Sequence, residues 1–193
     1  MLSARLGHFL DEPLGPVLRR IPLSPNSLTI IGFLITVIAA LIIPHNLRLG
    51  GILILFGGFF DVLDGVAART NGRVTNFGAF LDSVLDRYSD AFMFLSISYY
   101  LTASGNRVGA FLSLGTLVGA FVISYARAKA EGIGLSCNTG IMERPERIIL
   151  LIFATLTGWL VPILWAMLIL THFTAIQRIL YVWIATKKSL TGD

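Results

Sequence analysis

The chain has 193 residues, 55% of them hydrophobic and 13% charged, about half the roughly 25% charge of a soluble domain. With a mean hydropathy of +0.78, that excludes a water-soluble globule and a disordered chain, and it leaves an all-α integral membrane protein of a single domain, residues 1–193. Lys plus Arg is 15 and Asp plus Glu is 11, a surplus of +4 that is read as basic residues facing anionic headgroups rather than nucleic acid.

Residues 1–20 carry Leu2, Leu6, Phe9, Leu10, Leu14, Val17 and Leu18 at spacings dominated by three and four, among Arg5, Asp11, Glu12, Arg19 and Arg20. The pattern predicts a juxtamembrane amphipathic helix on the cytoplasmic surface, not a signal peptide. Pro25-Asn26 then signals a helix start, and Leu28–Ile43 reads as the first span, ended by Pro44. The next apolar stretch, Leu49–Phe60, is too short to cross alone and must run on through Asp61–Arg69, which places acids at membrane depth. A third span is expected at Phe77–Leu101 and a fourth at Val108–Ala128. Gly158, Trp159 and Pro162 divide the last apolar stretch into spans at Pro145–Thr157 and Pro162–Ala185. Six transmembrane helices follow. With both termini inside, Arg48 and Arg107 alone among the basic residues fall outside, so the positive-inside rule puts the termini and the acids on the cytoplasmic side of the cell membrane.

The informative stretch is Asp61-Val-Leu-Asp64-Gly65-Val-Ala-Ala68-Arg69, eight residues, then Gly78-Ala-Phe-Leu-Asp82-Ser-Val-Leu-Asp86. Asp61 and Asp64 are three apart on one helix, Asp82 and Asp86 four apart on the next, so each pair shares a face. The turn residues Asn71-Gly72 make the two helices antiparallel neighbours, and the acids converge. Unpaired carboxylates repel, and an all-oxygen set suits a hard divalent cation (Mg²⁺, Mn²⁺ or Ca²⁺) of the kind that holds substrate phosphates. Gly65, Ala68 and Gly78 allow a neighbouring helix or a flat base to approach closely. Arg69 is placed to grip a phosphate.

The pattern D-x2-D-G-x2-A-R-x8-G-x3-D-x3-D, complete over residues 61–86, resembles the signature of the CDP-alcohol phosphotransferase family. Pro25-Asn26-Ser27-Leu28-Thr29 at the start of the first span is also similar to that family. The resemblance implies a homodimer of six-helix subunits in which a CDP-linked lipid donates its phosphatidyl group to an alcohol and CMP leaves. It further implies two Mg²⁺ or Mn²⁺ ions, one on Asp61, Asp64 and Asp82 and the other on Asp61, Asp82 and Asp86. Asp86 is then also the catalytic base for the attacking hydroxyl. Gly65, Ala68, Arg69 and Gly78 line the CDP-lipid site, joined by Asn26, Thr29 and Thr75. Asp90 continues the spacing beyond the motif and is read as the structural partner of an arginine.

A second, basic constellation bears on the acceptor. Arg127 and Lys129 close the fourth span, Glu143-Arg144-Pro145-Glu146-Arg147 opens the fifth, and Arg178 lies in the otherwise apolar sixth. An intramembrane arginine needs a partner or an anionic ligand. The five cations are read as a pocket for an acceptor carrying its own phosphate, against the plainer reading of ion pairs with Glu131, Glu143 and Glu146. The Glu-Arg-Pro-Glu-Arg segment is similar to the branch of the family that uses inositol 1-phosphate with CDP-diacylglycerol or CDP-archaeol. Glycerol 3-phosphate, giving phosphatidylglycerol phosphate, is the alternative acceptor, and di-inositol-phosphate synthesis from CDP-inositol is a third reading. A channel would spread its polar residues along several spans, whereas these acids cluster at one depth.

Overall fold

The structure, a computed structural model, describes residues 24–70 and 74–191, with side chains through Lys187. The amphipathic helix expected over 1–20 and the Asn71-Gly72 turn lie outside the described residues. Among those described there are six helices and no strand: α1 (Pro25–Ile42), α2 (Leu47–Thr70), α3 (Asn76–Ala103), α4 (Arg107–Gly132), α5 (Arg144–Thr157) and α6 (Leu160–Thr191).

Polar caps set the helix starts. The backbone N–H of Ser27 donates to the Ser24 hydroxyl, that of Gly78 to Thr75 and that of Gly109 to the Asn106 side chain. Pro25 and Pro145 occupy first-turn positions, where a missing N–H costs nothing. Gly158, at φ 81°, ends α5 in the left-handed conformation that an L side chain resists. These caps lie outside the apolar stretches, so most helices extend a few residues beyond the spans expected from hydropathy. The sixth starts before Pro162, which is absorbed in its first turn.

The short apolar stretch after Pro44 does continue through the acids. α2 is one 24-residue helix, about 36 Å long at 1.5 Å per residue. It is long and apolar enough to cross a bilayer, as are α1, α4 and residues Leu160–Lys187 of α6. α3 has the length, but Asp82, Asp86, Arg87 and Asp90 crowd its first half, and α5 has 14 residues.

α1 packs against α2 and α3, α4 against α3 and α6, and α5 against α2 and α6, so the helix contacts close into a ring. Ile54, Phe94, Ile97, Leu151, Leu164 and Met167 fill its interior. Small residues set a close crossing of α1 and α2. A Cβ on Gly57 would lie 2.5 Å from the Thr36 hydroxyl and 3.3 Å from the Gly32 carbonyl, so α1 and α2 touch backbone to backbone. This crossing brings the start of α1 alongside the acid-bearing end of α2.

Candidate active site

The last turns of α2 and the first turns of α3 bring their carboxylates together. Asp61, Asp64 and Asp82 each offer an oxygen, and these oxygens all lie within 4.8 Å of one another. Asp64 is buried, and its Oδ2 atom has no hydrogen-bond partner. A buried carboxylate oxygen left without a donor is costly unless a cation takes it. Three hard oxygen donors around such an orphan fit a divalent ion of the Mg²⁺ or Mn²⁺ type.

Asp86 stands one turn beyond Asp82, on the far side of an arginine. Arg144 Nη1 lies 2.7 Å from Asp61 Oδ1 and 2.8 Å from Asp86 Oδ1, joining α2 to α3 from the start of α5. Arg87 Nη1 approaches the other Asp86 oxygen at 3.5 Å. A small cleft beside this group is lined by Thr29, Gly32, Asp61, Asp86, Ser89 and Arg144. Gly32 and Ser89 carry no charge and belong to no local motif, and sequence reasoning did not find them.

The residues expected to hold the CDP-lipid form two groups. A Cβ on Gly78 would meet Asn26 Oδ1 at 2.8 Å and Thr75 Oγ1 at 3.0 Å, so these three residues adjoin where α1 and α3 begin. Gly65 faces the Arg69 guanidinium, whose Nη1 would be 3.2 Å from a Cβ there. Ala68 is half-buried one turn after Asp64 on α2. Thr29 is buried, and its hydroxyl donates to the Pro25 carbonyl at 3.1 Å.

The basic residues are partnered in different ways. Arg147, 1% exposed, bonds Asp90 Oδ2 at 2.7 Å, while Asp90 is itself fully buried. This gives Asp90 the arginine expected of it, and it gives Arg147 a buried carboxylate partner. Arg178 is equally enclosed. It donates to the carbonyls of Thr139 and Ile123 at 2.8 Å each and reaches Glu143 at 3.5 Å. Arg127 pairs with Glu131 at 2.8 Å on the exposed end of α4, where Lys129 is also exposed. Arg127, Arg147 and Arg178 thus each have an acidic partner, in Glu131, Asp90 and Glu143.

Residues 22–185 match the family described as CDP-alcohol phosphatidyltransferase. The chain belongs to that family. It is therefore a transferase of a family that uses divalent metals, and Asp61, Asp64 and Asp82 are placed where they could hold such an ion. The chain is 38% identical to the archaetidylinositol phosphate synthase of Methanothermobacter thermautotrophicus, over 87% of each chain. It is 41% identical to that of Pyrococcus horikoshii, over 87% of this chain and 88% of the other. It is 36% identical to the phosphatidylinositol phosphate synthase of Corynebacterium glutamicum, over 87% of this chain and 81% of that one. Among solved structures, Mycobacterium tuberculosis phosphatidylinositol phosphate synthase with CDP-DAG bound is similar at a TM-score of 0.81 and 33% identity, covering 90% of this chain and 93% of that one. The same enzyme in complex with manganese and citrate also gives a TM-score of 0.81 at 33% identity, over 90% of this chain and 88% of that one.

Proposed function

We propose that this protein transfers a phosphatidyl or archaetidyl group from CDP-diacylglycerol or CDP-archaeol to inositol 1-phosphate, releasing CMP and forming the corresponding inositol phosphate lipid. The observation that carries the reading is the convergence of Asp61, Asp64 and Asp82 next to Asp86. The Asn26, Thr75 and Gly78 group lies where α1 and α3 begin, and Arg69 lies where α2 ends. The relatives named for inositol phosphate lipid synthesis support the acceptor.

In this mechanism Asn26, Thr29, Thr75, Gly78, Gly65, Ala68 and Arg69 seat the cytidine diphosphate. Asp61, Asp64, Asp82 and Asp86 would hold the metal, which when bound supplies charge neutralisation to the diphosphate bridge. The acceptor hydroxyl oxygen forms a bond to the phosphorus carrying the lipid, and the bond from that phosphorus to the CMP oxygen breaks. Asp86 takes the hydroxyl proton as the bond forms. Arg178, Arg127, Lys129 and Arg144 attract the acceptor's own phosphate, and Arg147 holds α5 in place beneath them. All six helices cross the membrane, the first and last residues and the acids face the cytoplasm, and two copies associate.

The test is CMP release by purified protein given CDP-diacylglycerol and Mg²⁺ with inositol 1-phosphate, glycerol 3-phosphate or free inositol in turn. Release with inositol 1-phosphate alone is expected. Release with glycerol 3-phosphate instead would replace the acceptor, and equal release with free inositol would remove the phosphate-binding role of the cations.

A further inference from the structure

Arg144 pairs with Asp61, one of the three clustered acids, and with Asp86, one turn beyond Asp82. The Arg144 guanidinium is bound through a single nitrogen, Nη1, which reaches one oxygen of Asp61 and one of Asp86 on two different helices. The tight mode for an arginine is the fork, two parallel N–H bonds to one carboxylate. Arg144 makes no such fork, and its Nε atom is buried without an acceptor. Its side chain is 19% exposed against 1% for Arg147, so water reaches the first pair and not the second. Its position adds to the contrast. Arg144 is the first residue of α5, where the positive end of the helix dipole disfavours a cation. The acids therefore hold Arg144 where the helix alone would not.

We propose that Arg144 is an exchangeable counter-ion of the metal centre. It neutralises Asp61 and Asp86 when they lack a metal and leaves them as a divalent ion binds, which frees its guanidinium for the acceptor side of the cleft. The metal centre and the basic cluster are thereby coupled: loading the acids with metal prepares a phosphate-binding cation. The proposal rests on the metal reading of the acids and not on which alcohol accepts the group.

The experiment is a Mn²⁺ titration of the purified full chain in detergent without substrates, followed by electron paramagnetic resonance of free Mn²⁺. Removing a competing cation tightens metal binding, so Arg144→Met is expected to lower the Mn²⁺ dissociation constant by at least about fivefold, the lower end of ordinary coupling between two ligands. The wild-type protein provides a second measurement that needs no variant. Phenylglyoxal labelling of Arg144, mapped by mass spectrometry, is expected to rise when Mg²⁺ is added. Saturable Mn²⁺ binding of equal or weaker strength in Arg144→Met, or labelling of Arg144 that ignores Mg²⁺, overturns the exchange. Failure of the wild-type protein to bind Mn²⁺ saturably overturns the metal reading as well.

Discussion

Arg147 and Asp90 meet 2.7 Å apart between α5 and α3, one turn further along both helices than Arg144 and Asp86. The two pairs form successive rungs of a ladder. The outer rung touches the cleft and Asp61 of the acid cluster, while the inner one is enclosed by protein. Their surroundings differ: the inner pair, 1% and 0% exposed, joins α5 to α3 inside the protein, and the outer pair, 19% and 15% exposed, lies at the cleft.

Breaking the inner rung leaves a buried charge unpaired, which costs about 3–5 kcal/mol. Arg147→Met and Asp90→Asn are each expected to lower the melting temperature in detergent sharply. The paired change Arg147→Met with Asp90→Leu is expected to recover most of that loss, because two apolar groups replace two charges. A double substitution as unstable as the sum of its parts would show that the two residues do not act as a pair.

Asp86→Asn keeps the size of the side chain and removes its basicity. Turnover is expected to fall by about 10²–10⁴-fold, the usual contribution of a positioned base. Binding of CDP-diacylglycerol, measured by calorimetry, is expected to persist. Turnover within a few-fold of wild type would take Asp86 out of that role.

Chelation tests the metal centre directly. Excess EDTA is expected to abolish CMP release and added Mg²⁺ or Mn²⁺ to restore it. Asp82→Asn removes one of the three clustered ligands and is expected to raise the metal concentration needed for half-maximal release by tenfold or more, since one ligand interaction of about 1.4 kcal/mol is a factor of ten. Undiminished release in chelator would defeat the metal reading.

The cytidine side is tested at Gly78. A side chain there would press on Asn26 and Thr75, with first contacts at 2.8 and 3.0 Å. Gly78→Val is expected to raise KM for CDP-diacylglycerol with little change in KM for the acceptor. Equal changes in both would mean that the substitution disturbs the whole site.

For the acceptor side, Arg178→Gln is expected to raise KM for inositol 1-phosphate more than KM for the CDP-lipid. Arg178 also ties the Thr139 and Ile123 carbonyls together, so the melting temperature must be read beside the kinetics. Parallel rises in both KM values with a fall in melting temperature would leave Arg178 a purely structural role.

Much of this site was legible from residue type and spacing. Acids three and four apart on apolar helices have to share faces, and carboxylates at membrane depth need a cation, so Asp61, Asp64, Asp82 and Asp86 stood out without coordinates. The partner of each arginine did not. Arg144 and Arg147 are three residues apart and chemically alike, so nothing local says that one faces the cleft and the other is enclosed with Asp90. Gly32 and Ser89 were silent for a related reason: a small uncharged residue gains its meaning from whatever a neighbouring helix brings against it.

Composition and hydropathy by themselves pointed to membrane-spanning helices, because a continuous apolar run of about twenty residues can satisfy its own backbone in a bilayer as a helix, whereas a barrel strand is shorter and alternates. Motif spacing determined the acid pairs, because helix periodicity depends on nothing beyond the local chain. The tertiary structure alone decided which cation meets which acid. It also decided that α1 packs against both acid-bearing helices and that α5 delivers Arg144 to Asp61 across 83 positions of sequence. Such pairings depend on where helix packing brings distant segments together, and that is a property of the assembled ring of helices.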